Sequence, residues 1–188
     1  IIIFISFQSW TKADDIRDFQ IEGMSIGDSL LDYFSEKKIK NEEKNAYIWK
    51  TKFLINGFKS AKFKTYERVQ FAYKKNDKKY IIHGLDGIIK YRYNIKECYK
   101  KKKDIVSEIS NTFTSARIYN HKGPHSVDKS NKSISDVTEY WFAEGDLARV
   151  ICSDFSTKLE NKNKWYDELS VVLNSKEYTN FLINEAYK

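Results

Sequence analysis

Two strand-like stretches, each doubling back through a tight turn, constrain this chain more than any other feature. Val69, Phe71 and Tyr73 alternate with Arg68, Gln70 and Ala72, the period of a half-buried strand within Lys62 to Lys74. Asn76-Asp77 turns the chain, and Tyr80 to Tyr93 returns as a second strand. His83-Gly84 and Asp86-Gly87 predict a bulge or kink within it. Val137 to Phe142 is β-branched and aromatic, Glu144-Gly145-Asp146 turns, and Leu147 to Phe155 runs back as a hairpin partner. Strands joined by such short turns pair antiparallel. Leu169 to Leu173 reads as a further strand, and Tyr47 to Phe58 and Ala116 to Tyr119 as short ones.

Helical periods separate these strands. Ser25 and Asp28 resemble a capping box, with Ile26, Leu30, Leu31 and Phe34 as one apolar stripe, so a first helix is expected there. The stripe fades through Glu36 to Lys40 into the polar stretch Asn41 to Asn45, a surface loop. Asn94 and Glu97 open a second helix, with Ile95, Cys98, Tyr99, Ile105, Val106, Ile109 and Phe113 on its buried face. The basic run Lys100 to Lys103 is expected on its solvated side. His121 to Ser133 reads as a loop around Gly123-Pro124, and Thr157 to Lys164 as another. Ser175 caps a last helix with Tyr178, Phe181, Leu182 and Ala186 on one face. The pattern predicts an α+β fold of one antiparallel sheet with helices packed on one face. Its helix-then-hairpin unit occurs twice, which suggests a weak internal duplication.

The front end carries an address. Residues Ile1 to Phe7 are almost wholly apolar, Thr11 and Ala13 are small, and Asp14-Asp15 follow. That order predicts the C-terminal part of a signal peptide over residues 1–13, cut after Ala13. A buried first strand is the other reading. Residues 14–188 then form a single domain in the periplasm or outside the cell. The apolar run falls short of the ~20 residues of a spanning helix, so no transmembrane anchor is expected.

The formal charge of +7 becomes +6 once Lys12 is removed. Lys outnumbers Arg 28 to 5, whereas nucleic-acid surfaces favour the planar fork of Arg. AT-rich codons account for the Lys, Asn, Ile, Tyr and Phe enrichment, so no nucleic-acid partner is expected.

Several motifs invite a chemical reading. Gly27-Asp28-Ser29-Leu30 spells the block of the GDSL lipases and esterases, but no strand precedes it and no partner block supplies a base. His121, His125 and Asp128 share a His-x3-His-x2-Asp spacing with zinc-ligating residue types. The two histidines straddle Gly123-Pro124 and cannot share a helical face. Ser126, Lys129, Ser130 and Lys132 in the same stretch suit an anion, while a polar loop is the blander reading. His83 beside the expected kink reads as structural. No glycine-rich phosphate loop, dinucleotide fingerprint or paired carboxylates appear, so no cofactor is expected. Cys98 and Cys152 are the two cysteines. In an oxidising compartment they form either a bridge, worth ~4 kcal/mol over the enclosed loop, or two separate buried thiols.

The stretch Ala13 to Leu31, with the apolar leader before it, resembles the front end of a group of small exported proteins of marine alphaproteobacteria. Tyr80-Ile81-Ile82-His83, Ile95-Lys96-Glu97-Cys98 and Pro124 to Ser130 are similar to later segments of that group. The resemblance implies export and a shared fold, and brings no activity or functional residues. Gly23 to Leu30 also resembles the helix start of envelope domains with a β-lactamase-inhibitor-protein-like fold, which implies protein–protein contact rather than catalysis.

These readings point to a non-catalytic binding or protein-interaction module. It would use one sheet face or the segment 121–133, with His121, His125, Asp128 and Lys129 as candidate binding residues. An envelope protein or a small anion is the expected partner. Trp141, Tyr140 and Tyr91 are aromatics available for contact or core. The alternative is a metal-dependent or otherwise unrecognised hydrolase centred on 121–133.

Overall fold

The computed structural model describes residues 15–44, 46–49, 52–92, 94–163 and 165–186. The expected leader at 1–13 lies outside these residues. Strands β1 (Tyr47–Trp49), β2 (Phe53–Phe58), β3 (Arg68–Lys74) and β4 (Gly84–Lys90) form one meander. Strands β5 (Arg117–Pro124), β6 (Ile134–Trp141), β7 (Leu147–Asp154) and β8 (Glu168–Asn174) form a second. Among the described residues these eight make one sheet in the order β1-β2-β3-β4-β8-β7-β6-β5. Every neighbouring pair is antiparallel, and β4 against β8 joins the two meanders, with Gly87 opposite Val171. The α+β class and both hairpins stand as read.

Side-chain alternation gives the sheet two different faces. Val69, Phe71 and Tyr73 of β3, Leu85 of β4, Val150 and Cys152 of β7, and Leu169, Val171 and Leu173 of β8 belong to one buried core. Helix α1 (Glu36–Glu43) packs on β2, and α2 (Ile95–Thr112) lies over β7 and β8 on this side. Cys98 of α2 is bonded there to Cys152 of β7, with an S–S distance of 2.03 Å. Among the described residues, helical cover on the opposite face lies at one corner. Helix α4 (Lys176–Phe181) and the turn of π-helix after it place Tyr178, Phe181 and Ala186 against Phe53 and Ala72. Ser175 caps α4 as expected, accepting from the Tyr178 amide at 3.3 Å.

Several local expectations are corrected. Residues 25–34 do not form a helix. Gly27, at φ +93°, breaks the helical backbone, and the segment lies along Tyr80 to Ile82 instead. Gly27 donates to the Ile82 carbonyl and Leu30 to the Tyr80 carbonyl, which buries Ile26 and Leu30 with only one short 3-10 turn, Leu30–Asp32, in place of an α-helix. Half of the capping box survives, since the Ser25 amide donates to Asp28 at 2.8 Å. The helix comes next, where the stripe is expected to fade, and runs into the expected loop; Ser35 caps α1 and Ile39 is its one buried residue. A single apolar side chain leaves no period to read.

Gly84 and Gly87 do not kink their strand. They make room for aromatic rings, because a Cβ on Gly87 would sit 2.7 Å from the Tyr66 ring. The α2 span is as expected, but Asn94 makes no side-chain cap. Lys102, expected on the solvated side, is buried and ion-paired with Asp136 of β6. Thr157–Asn163, read as a loop, is a short helix, α3. His121 to Pro124 belongs to β5 rather than to a loop. Pro is tolerated there because β5 is an edge strand.

Candidate functional site

The half of the sheet face left open by α4 forms a cleft of ≈ 510 Å³. Its floor is built from alternate residues of the central strands: Asp86 of β4, Ser170 and Val172 of β8, and Arg149 and Ile151 of β7. Tyr178 and Leu182 wall it on one side, and His121, Pro124 and His125 on the other. Both walls follow from the fold. The strand period sends these side chains away from the α2 core, and the chain end returns from β8 over the same face.

The floor carries charged side chains of both signs. Asp86 and Arg149 both line the cleft, and each stands opposite Val172 in the register. They therefore flank one residue in the same row, with Cα atoms roughly 10 Å apart at two strand spacings. Asp86 Oδ1 and Arg149 Nε are shielded from solvent and have no hydrogen-bond partner. Asn174, 2% exposed and also on the cleft, has an unpartnered Nδ2. Buried polar atoms are rarely left this way in folded proteins.

Burial, then repulsion from Glu168, push the Asp86 carboxyl up from its ordinary 3.8 to about 7. Arg149, a hydrogen bond from Ser170, and Arg68 oppose the shift. Glu168, also on the cleft, is raised by burial against the pull of Lys90 and Arg68. Carboxyls held up by desolvation in a cleft mark a place where a cationic group would be stabilised.

A shallower depression adjoins the cleft at the sheet edge, lined by Arg117, Tyr119, His121, Glu139 and Trp141. The Trp141 indole donates to Glu139 at 3.0 Å, which holds the carboxylate beside the ring.

The residues singled out in the sequence separate in space. His121 and His125 both line the cleft, whereas Asp128 does not. Asp128 organises the turn after β5. One of its oxygens accepts from the amide and hydroxyl of Ser130, at 2.9 and 2.6 Å. The other accepts from the amide and hydroxyl of Ser133, at 3.0 and 2.6 Å, and from Ser156 at 3.0 Å. The Ser130 and Ser133 hydroxyls, with the Ser130 amide, hold its carboxyl well below the usual range. Both oxygens are thus committed to local structure, and so is Ser130, whereas Ser126, the other serine that could have held an anion, lines the cleft. His125 Nδ1 faces the Val127 amide at 3.3 Å, its ring rests on Phe155, and burial lowers its pKa. Lys129 is exposed. Among the described residues, no group of three His, Cys, Asp or Glu side chains is placed to hold a metal ion.

The GDSL-like serine is also structural. Ser29 Oγ donates to the Lys79 carbonyl at 2.6 Å and accepts from the Leu31 amide at 3.1 Å. His83 contacts Ser175 at 3.3 Å and packs against Phe53.

Sequence reading missed Asp86, Arg149, Ser170 and Asn174. The available signal was the odd phase of their strands: polar residues interrupt β4, β7 and β8 at spacings that place them on one face. Comparisons with protein-family models, curated proteins and solved structures gave no match to this chain. Among the described residues, no helix is long and apolar enough to cross a membrane.

Proposed function

We propose that this chain is an exported, non-catalytic binding module whose ligand sits on the open face of the eight-stranded sheet. The observation that carries this reading is the cleft floor, where residues of both charge signs, Asp86 and Arg149, each with one solvent-shielded atom lacking a hydrogen-bond partner, line a space large enough for a small molecule or a protein side-chain cluster. Binding is favoured over hydrolysis because the motif groups are engaged elsewhere. Ser29 caps a turn, and Asp128 has both oxygens committed. Export is supported by the leader-like pattern before Asp14, by the resemblance to small exported proteins, and by the Cys98–Cys152 bond, a kind that persists in oxidising compartments.

Native mass spectrometry of the protein recovered from the periplasm of expressing cells tests this reading. A bound species retained by wild type and by Lys129→Ala, but lost from Val172→Arg, supports it. Retention by Val172→Arg at wild-type level would move the site off this face.

A further inference from the structure

We infer that the cleft takes a small zwitterion, a molecule with one ammonium and one carboxylate group, its ammonium on Asp86 and its carboxylate on Arg149. This inference rests on the open-face reading and specifies its ligand. The two side chains are of opposite sign, lie in one row either side of Val172, and line the same cleft. Each has a solvent-shielded polar atom without a hydrogen-bond partner, although Arg149 attracts the Asp86 carboxylate across the row. A cationic ligand alone would leave the guanidinium without an anion, and guanidinium stays charged at all physiological pH. An anionic ligand alone would set a second negative charge near Asp86 and Glu168. One molecule carrying both charges meets both requirements. Asn174 adds an unpartnered amide donor for a carboxylate or carbonyl oxygen.

The rest of the lining describes the body of the ligand. Val137, Ile151, Val172 and Leu182 give the cleft an apolar component between its charged points. A free α-amino acid with an apolar side chain and a short apolar peptide share this chemistry. They differ in the spacing of their charges, and ≈ 510 Å³ has room for either.

Isothermal titration of the full disulfide-bonded protein separates the cases. The probes are leucine, phenylalanine, Leu-Leu and Leu-Phe, each also in N-acetylated and C-amidated form. At least one uncapped probe is expected to bind, and either cap should weaken it at least tenfold. In Asp86→Asn the penalty for N-acetylation should vanish, and in Arg149→Gln the penalty for amidation should vanish. Tighter binding of leucine than of Leu-Leu would identify the amino acid, and the reverse the peptide. The caps act on wild-type protein, so the result does not depend on how the variants fold. Equal binding of capped and uncapped probes would overturn the zwitterion while leaving the open face as the binding surface. No heat with any probe at millimolar concentration would also overturn it, and the native mass measurement would then judge the face by itself.

Discussion

Replacing Asp86 by Asn should stabilise the protein at alkaline pH and not at acid pH. The folded state raises this carboxyl from 3.8 to about 7, chiefly by burial and then by repulsion from Glu168. A raised folded pKa means that the native state binds the proton more tightly than the unfolded chain. Stability is therefore lost as pH rises from about 4 through about 7, and the full cost is present above that. Three pK units correspond to ~4 kcal/mol, and access of solvent to the cleft reduces this to roughly 2–4 kcal/mol. Asn stays neutral and retains a carbonyl to accept from Ser170, so it avoids the cost at every pH. Urea unfolding of wild type and Asp86→Asn at pH 4.5 and pH 8 measures it. The variant should match wild type within ~1 kcal/mol at pH 4.5 and exceed it by ~2–4 kcal/mol at pH 8. Glu168 is raised too, so some pH slope remains in the variant. The same difference at both pH values would show that Asp86 ionises as it does in water, and the description of the cleft floor would be wrong.

Other expectations follow from the same structure. The double change Cys98→Ser, Cys152→Ser opens a link across 54 positions of sequence, and urea unfolding should show a loss of ~4 kcal/mol; an unchanged midpoint, or two titratable thiols in unreduced protein, would refute the bond. Gly84→Ala puts a Cβ 2.7 Å from the Tyr178 ring and 2.9 Å from Ala72, so it should cost ~1–3 kcal/mol and loosen α4, read as faster amide exchange in residues 176–181. Ser29→Ala removes the cap before Leu30 and the bond to Lys79, for ~0.5–2 kcal/mol of stability in thermal unfolding; an esterase activity lost in this variant would instead restore the GDSL reading.

Strand periodicity was legible wherever one face met the core. Val69, Phe71 and Tyr73 declared β3, because burial on one side forces alternation, and the β-branched and aromatic content of Val137 to Phe142 declared β6. The α2 helix was legible for the same reason at its longer period. Errors came where burial and periodicity part. Ile26 and Leu30 are buried at helical spacing by an irregular segment laid along Tyr80 to Ile82, and a Gly with positive φ was the missed warning. Helix α1 buries only Ile39, too little to write a period. The run of basic residues on α2 hid Lys102, whose stem packs inward so that its charge can reach Asp136.

The cleft was illegible for a different reason. It draws Asp86, Ser170, Arg149 and His121 from four strands, and only the strand order brings them together. Register between β4 and β8 is a tertiary fact that no local pattern in the sequence encodes. The spacing of His121, His125 and Asp128 was visible, but spacing in sequence does not report direction. Two of these side chains face the cleft while the third holds a turn.

The most direct test of open-face binding is a methyl-labelled NMR titration of the intact protein with a periplasmic small-molecule extract. Shifts confined to methyl groups of Ile55, Val137, Ile151, Val172 and Leu182, which line the cleft, are the expected result. Shifts instead at Val127 beside the Asp128 turn, or at Ile105 and Val106 on α2, with the cleft methyls unmoved, would contradict it.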